Sequence, residues 1–284
     1  VIHHWWALRV NPMYEERFVE QGNVSKNCRK GEGTLAAVKA VRKMVDEHPD
    51  WWVGHFDFEG YFMSMDKALL YEMLDIFIRD NYQGEDLECL LYITRVITFH
   101  CPQDDCIRKS PLELWDNIPP RKTLFGQPKG KGCAIGNLPS QLNANFLGSV
   151  FDHWIKEQKH IKYYYRYMDD IVILHSSKEY LHELYQEIDE YMRNELDLTI
   201  KDNWQVFPTR TKGLDFVGYR FFDNYTLLRK STCKNMKKKM LALRRKEELT
   251  FNDYCSIQSY IGWLRHCNSY RLQLKYTVPL LERR

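Results

Sequence analysis

Apolar residues along this chain recur at two spacings, and the two alternate. Leu35, Val38, Val41 and Val45 stand three or four apart and predict a helix that Pro49 closes. The same spacing recurs over 86–99 (Leu87, Leu90, Leu91, Ile93, Val96, Ile97) and after Ser140 (Leu142, Phe146, Val150, Trp154). It returns over 178–197 (Tyr180, Leu184, Ile188, Tyr191) and at Tyr254, Ile257, Ile261 and Leu264. Between these helices lie runs of β-branched and aromatic residues, which suit a half-buried pleated surface. Residues 51–57 read as a strand that Gly60 ends, with a helix following through Lys67–Asp80. Tyr163–Tyr167 and Ile171–Leu174 read as two strands of one hairpin. Leu198–Lys201 opens another extended segment, and Asp215–Phe222 is one further strand with a turn at Asp223-Asn224. Residues 1–23 read as mixed, and 110–132, rich in Pro, Gly and Lys, as mostly loop. The alternation predicts an α+β fold, a sheet layer covered by helices on one side.

With 284 residues and 34.2 kDa, the chain is long enough for one large domain or two smaller ones. A 44% hydrophobic share permits a real core, and a net charge of +3 says little by itself. Eight cysteines without secreted-type pairing density predict reduced thiols and a cytoplasmic protein. No apolar run approaches ~18 residues, so no membrane partner is expected. The chain begins at Val1 in mid-pattern, which raises the expectation of a preceding segment.

Asp169 and Asp170 sit side by side near the tip of the hairpin. A tight hairpin turn normally takes Asn-Gly or Asp-Gly, and adjacent like charges raise each other's energy. A polyvalent cation would relieve this; a solvated acidic turn is the alternative. Asp57 is a second anomaly, a carboxylate inside the aromatic run His55-Phe56-Asp57-Phe58, where an unpaired charge is expensive. Taken together, three carboxylates on adjacent strands could hold two divalent cations for phosphoryl transfer, and Mg²⁺ suits such a set. From Arg229 to Lys246 there are nine Lys or Arg and no Asp or Glu, with Met236, Met240 and Leu243 marking an apolar side. A one-signed run favours a phosphate backbone over a plain solvated face. The basic loop Arg29-Lys30-Gly31-Glu32-Gly33-Thr34 before a helix is a weaker phosphate signal, with an ordinary loop as the alternative. His3-His4 and Cys101/Cys106 lack the partners a zinc site needs.

These residues resemble the reverse transcriptase family over nearly the whole chain, in the family's order. Tyr167-Met168-Asp169-Asp170 looks like its Tyr-x-Asp-Asp signature, the segment around Asp57 like its first catalytic motif, and Phe216-Val217-Gly218-Tyr219 like its primer grip. A closer similarity is to the reverse transcriptases of diversity-generating retroelements. It rests on Arg29–Thr34, on Cys106 through Ser110-Pro111 and Trp115 to Leu124-Phe125, and on Ile135-Gly136-Asn137-Leu138-Pro139-Ser140-Gln141 with Ala144-Asn145. Most family members have Gln-Gly where this chain has Ile135-Gly136; the Ile form is typical of the mutagenic group. Pro139 and Ala134 depart from the common Thr and Pro.

The resemblance implies a right-hand polymerase fold: a palm with an antiparallel sheet backed by helices, partial fingers and a helical thumb. Its segments would be 1–50 (partial fingers), 51–228 (palm, with 82–131 a helix and loop region of fingers and palm) and 229–284 (thumb). It implies RNA-directed DNA synthesis with two Mg²⁺ ions, Mn²⁺ as a substitute, error-prone in this subgroup. Asp57, Asp169, Asp170 and the Phe58 carbonyl would ligate the metals. Phe62 would be the steric gate against a ribose 2′-hydroxyl. Ile135, Gly136, Gln141 and Lys201 would contact the nucleotide, Lys201 beside the leaving pyrophosphate. Arg29, Lys30, Gly218, Arg229, Lys230, Lys234, Lys237 and Lys238 would contact nucleic acid. Implied partners are template RNA, a DNA or RNA primer, deoxynucleotides and a small basic accessory protein, in a bacterial, archaeal or phage-encoded system. A further fingers segment that clamps the triphosphate would lie ahead of Val1. The alternatives are another bacterial reverse transcriptase, such as a defence-associated one, and an RNA-binding module whose catalysis has decayed.

Overall fold

The computed structural model describes residues 1–282, so the last two positions of the expected 229–284 segment lie outside the described residues. The first helix, α1 (Ile2–Glu20), covers most of the stretch that reads as mixed. It runs straight through Pro12, and Trp6, Val10, Met13, Tyr14 and Phe18 line its buried side at helical spacing. Exposed Ile2, Leu8 and Val19 on its other faces blur the periodicity, which is why the pattern hides it.

The chain continues through α2 (Thr34–Glu47), β1 (Trp52–Asp57), α3 (Tyr61–Ser64), α4 (Lys67–Asn81), α5 (Leu87–Phe99) and the short α6 (Leu112–Asp116). Next come α7 (Leu138–His153), β2 (Tyr164–Tyr167), β3 (Asp170–His175), α8 (Lys178–Leu196), β4 (Gln205–Pro208) and α9 (Thr209–Lys212). Last are β5 (Leu214–Phe216), β6 (Tyr219–Phe221), β7 (Thr226–Leu228), α10 (Lys230–Arg244) and α11 (Phe251–Leu264), before short helical turns. The strands form a sheet of order β2-β3-β1-β4 and a smaller sheet of order β5-β6-β7.

Two compact units result. The first comprises residues 1–33, 55–173 and 179–205. Its core sets α1 against α7 and α5: Tyr14 stacks on Phe146 at 5.1 Å, and Trp6 Nε1 donates to Thr94 Oγ1 at 2.8 Å. Burying such large aromatic surfaces is what offsets Pro12 inside the helix. The second unit comprises residues 34–54, 174–178 and 206–284. Its small antiparallel sheet corrects the single strand expected over Asp215–Phe222. Val217 (φ +41°) and Gly218 (φ +87°) break that run into β5 and β6, a two-residue hairpin with positive φ at both turn positions. A β-branched residue is a poor choice there, so the aromatic run reads as unbroken. The turn at Asp223-Asn224 does separate β6 from β7, and Arg42 of α2 fastens that turn by donating to the carbonyls of Phe222 and Asp223.

Candidate active site

The hairpin β2–β3 pairs antiparallel, with Tyr167 opposite Asp170, so Met168 and Asp169 form the turn. Met168 stands at φ +60°, the left-handed region. In the sheet order β3 lies next to β1, and this brings Asp57 into the field of Asp169. Burial first, then the Asp57 charge, push the Asp169 carboxyl up to about 6. Its own backbone hydrogen bond opposes this, Asp170 adds to it, and Lys201 works against it.

The other two carboxylates already have cationic or polar partners. Lys201 Nζ reaches both oxygens of Asp57 at 2.5 Å. Its backbone N–H also donates to the Asp57 carbonyl at 2.9 Å, because 199–201 runs beside 57–59 with Phe58 bridged to Ile200. His55, two residues before Asp57 on β1, places Nε2 2.6 Å from Asp170 Oδ1. His55 carried no sequence signal beyond its alternation with Asp57 along the strand.

A cavity of about 650 Å³ opens beside Asp169. Phe58, Phe62 and Ile135 give it apolar walls; Arg121, Lys122 and Lys201 add positive charge. Ile135 gets there because 132–133 is laced to α3 and the residue after it: Cys133 N–H donates to the Phe62 carbonyl at 2.7 Å and Gly132 N–H to the Met65 carbonyl at 2.9 Å. Ile135 itself is 69% exposed, open for contact with a bound molecule. Gly136 has φ +104° and nothing near its missing side chain. Gln141 lies on the first turn of α7, where its Oε1 accepts a long hydrogen bond from the Cys28 thiol. Phe58 is buried, stacked on Tyr61 at 5.4 Å. Arg121 and Lys122 carry no motif signal because they sit in the loop-like 110–132 stretch; Arg121 Nη1 donates to Glu59 at 2.8 Å.

The expected nucleic-acid contacts divide. Arg29 is buried, held by Glu15, Asn23 and the Ser25 carbonyl, so in this arrangement it organises its own loop instead of facing a ligand. Lys30 beside it is exposed. In the second unit, Lys230, Lys234 and Lys238 of α10 are at least partly exposed, while Lys237 Nζ lies 5.8 Å from the Tyr276 ring. Arg229 is paired with Asp215. Gly218 packs against the Trp263 ring.

Carboxylate oxygens are the donors that hard divalent cations take, and burial together with the nearby Asp57 charge disfavours the ionised form of Asp169. The donor chemistry fits such a cation. The arrangement does not present a finished ligand set: among the described residues, no group of three or more His, Cys, Asp or Glu stands ready to hold a metal ion. Lys201 and His55 occupy the oxygens instead. Cys101 and Cys106 form no such group either.

No family model matches this sequence, and no curated protein does. Solved structures do match. Apo telomerase from Candida tropicalis aligns with 78% of this chain and 39% of its own, at TM-score 0.53 and 13% identity. Telomerase from Candida albicans in complex with the TWJ fragment of telomeric RNA aligns with 99% and 47%, at 0.52 and 11%. The corresponding C. tropicalis complex aligns with 95% and 50%, at 0.51 and 12%. This chain spans half or less of the length of those proteins. No helix among the described residues is long and apolar enough to cross a membrane. At these identities the likeness shows the fold alone: a mixed α and β fold like the matching part of these telomerase structures.

Proposed function

We propose that this chain is the polymerase part of an RNA-directed DNA polymerase. One observation carries the reading: β1 and β3, far apart in sequence, lie side by side with Asp57 and Asp169 at their ends, and Asp169 lines a cavity walled by Phe62, Ile135 and Lys201. Asp57, Asp169 and Asp170 would hold Mg²⁺, with the Phe58 carbonyl, once Lys201 and His55 release them. When bound, the ions supply Lewis-acid stabilisation of the attacking and leaving oxygens. The remaining work falls to the chain's own residues. Phe62 bounds the space a ribose 2′-hydroxyl would need. Ile135 and Gly136 face the nascent base pair with dispersion contact alone. Lys201, freed from Asp57, carries positive charge for the leaving pyrophosphate. The lysines of α10 attract the phosphate backbone of template and primer.

The finer reading is mutagenic synthesis for a diversity-generating retroelement, with a structured template RNA, a primer, deoxynucleotides and a small basic accessory protein. Its support is the three sequence segments that carry the closer resemblance: Arg29–Thr34, Cys106 to Phe125, and Ile135–Gln141 with Ala144-Asn145. In the same segmentation, 1–50 would be partial fingers, 51–228 palm and 229–284 thumb.

A second reading has its own support. The Lys201–Asp57 and His55–Asp170 pairs satisfy two of the three carboxylates without any metal, as expected of an RNA-binding module with decayed catalysis. Primer extension on an RNA template with Mg²⁺ separates the two. The parent should synthesise cDNA, and Asp169→Ala should abolish synthesis while RNA binding stays within about twofold, as for a loss confined to the chemical step. Equal activity of both proteins refutes the site assignment; an inactive parent that binds RNA supports the decayed module.

A further inference from the structure

Beneath the three aspartates lie buried polar groups that the chemistry proposed above does not use. Met168 holds a left-handed backbone at φ +60° without the freedom of glycine, a state that side chains with a Cβ rarely adopt. Such strain persists only where surrounding structure over-determines it. Here both ends of the residue are pinned. Its N–H donates to Asn27 Oδ1 at 2.7 Å. Its carbonyl accepts from Arg166 Nη1 at 3.1 Å.

Each pin is anchored in turn. Asn145 Nδ2 donates to the Asn27 carbonyl at 3.0 Å, and residues 24–26 run beside Arg166 through Arg166 N–H to Val24 and Lys26 N–H to Arg166. Arg166 is fully buried, gripping equally buried Asp152 of α7 through Nε at 2.8 Å and Nη2 at 2.6 Å. Burial opposes the Arg166 charge, but Asp152 outweighs it and holds the guanidinium above its ordinary value. Tyr164 adds a hydroxyl to the same carboxylate at 2.6 Å. Gly148 makes room: a side chain there would meet the guanidinium at 2.4 Å. A buried ion pair is seldom a gain in stability over apolar packing. Its retention directly under the turn needs another reason.

We propose that Asn27 and Arg166 form a clamp on the Met168 peptide that positions Asp169 for catalysis. Neither touches substrate; both are positioning residues acting through the turn. The inference rests on the polymerase reading for its catalytic half, and on geometry alone for the clamp.

The test therefore has two readouts, native-state hydrogen exchange at the Met168 amide and steady-state synthesis on primed RNA. Asn27→Ala should accelerate that exchange by about a hundredfold, because it converts a protected amide into a locally open one. It should lower kcat at least about tenfold, with the KM for deoxynucleotide within about twofold, as expected of a misplaced catalytic group. Asn favours the left-handed state at little cost. Met168→Asn on the Asn27→Ala background should therefore restore kcat to within about threefold.

A second variant guards against misfolding. Arg166→Met with Asp152→Leu and Tyr164→Phe replaces the buried network by apolar groups, a change that is often neutral or stabilising. It should fold and yet lose kcat. Unchanged exchange at Met168, failure of Met168→Asn to rescue, or full activity of the folded apolar triple overturns the clamp. Accelerated exchange in a parent that makes no cDNA upholds the clamp and sinks the polymerase reading instead.

Discussion

Asp169 is a half-buried carboxyl that its surroundings make costly to ionise. Burial and then Asp57 raise its carboxyl from the ordinary 3.8 to about 6. A carboxyl raised in the folded state binds more protons there than in the unfolded chain, so its effect is a loss of stability as pH rises from about 4 to about 6. Asp169→Asn removes the charge that causes this. With a chelator present, the variant should melt above the parent near neutral pH and alongside it near pH ~4. Thermal midpoints at the two pH values decide; a gap of the same size at both would show that the charge is not the cause.

Ile135, exposed at the cavity wall, offers no hydrogen bond to a nucleotide. A polar interaction of the kind glutamine would supply is worth ~1 kcal/mol. On the mutagenic-polymerase reading proposed above, Ile135→Gln should lower the error rate, a change that reading places chiefly at template adenine. Sequencing cDNA from a defined RNA gives the spectrum, and unchanged errors at adenine would dispose of the idea. Little of this geometry was legible in the residues. The carboxylates stand out as charges among aromatics, while Asn27 gives no sign of what it holds because Met168 lies far along the chain, and Arg166 gives none because Asp152 of α7 fixes its side chain.

At the scale of elements, local pattern succeeded where one face of a segment is apolar. α8 buries Leu181, Leu184, Ile188, Met192 and Leu196, and α10 buries Met236, Met240 and Leu243. It failed where tertiary packing overrules the local signal, in α1 with its internal proline and in the β5–β6 turn. In that turn, Gly218 combines φ +87° with a missing side chain that would stand 2.6 Å from the Trp263 ring. Gly218→Ala should destabilise by about 2 kcal/mol, through backbone strain and overpacking together. Urea unfolding measures it, and a change below about 0.5 kcal/mol would show that Trp263 yields without strain.

At the scale of the whole molecule, charge distribution matters more than its sum. A net +3 spread evenly would steer nothing, but α10 carries Lys230, Lys234 and Lys238 on solvent-accessible positions with no acid from 229 to 246. If these lysines meet a phosphate backbone, Lys234→Ala with Lys238→Ala should weaken RNA binding. It should also flatten the dependence of log K on log salt by ~0.7 for each phosphate no longer neutralised on single-stranded RNA. Titrations at several salt concentrations give the slope; weaker binding with an unchanged slope would point to disturbed packing and not to phosphate neutralisation.

Residue order alone determined the strongly periodic helices and the hairpin that ends in Met168-Asp169, because helix and strand periods are properties of neighbours along the chain. It also marked Asp57 and Asp169 as charges out of place. Tertiary structure decided the rest: that the two carboxylates share a field, that Lys201 covers Asp57, that Arg29 faces inward, and that a left-handed Met168 is pinned from both sides. Asp57 with Asp169, Lys201 with Asp57 and Asn27 with Met168 depend on groups distant in sequence meeting at close range. Only the packed fold sets such distances.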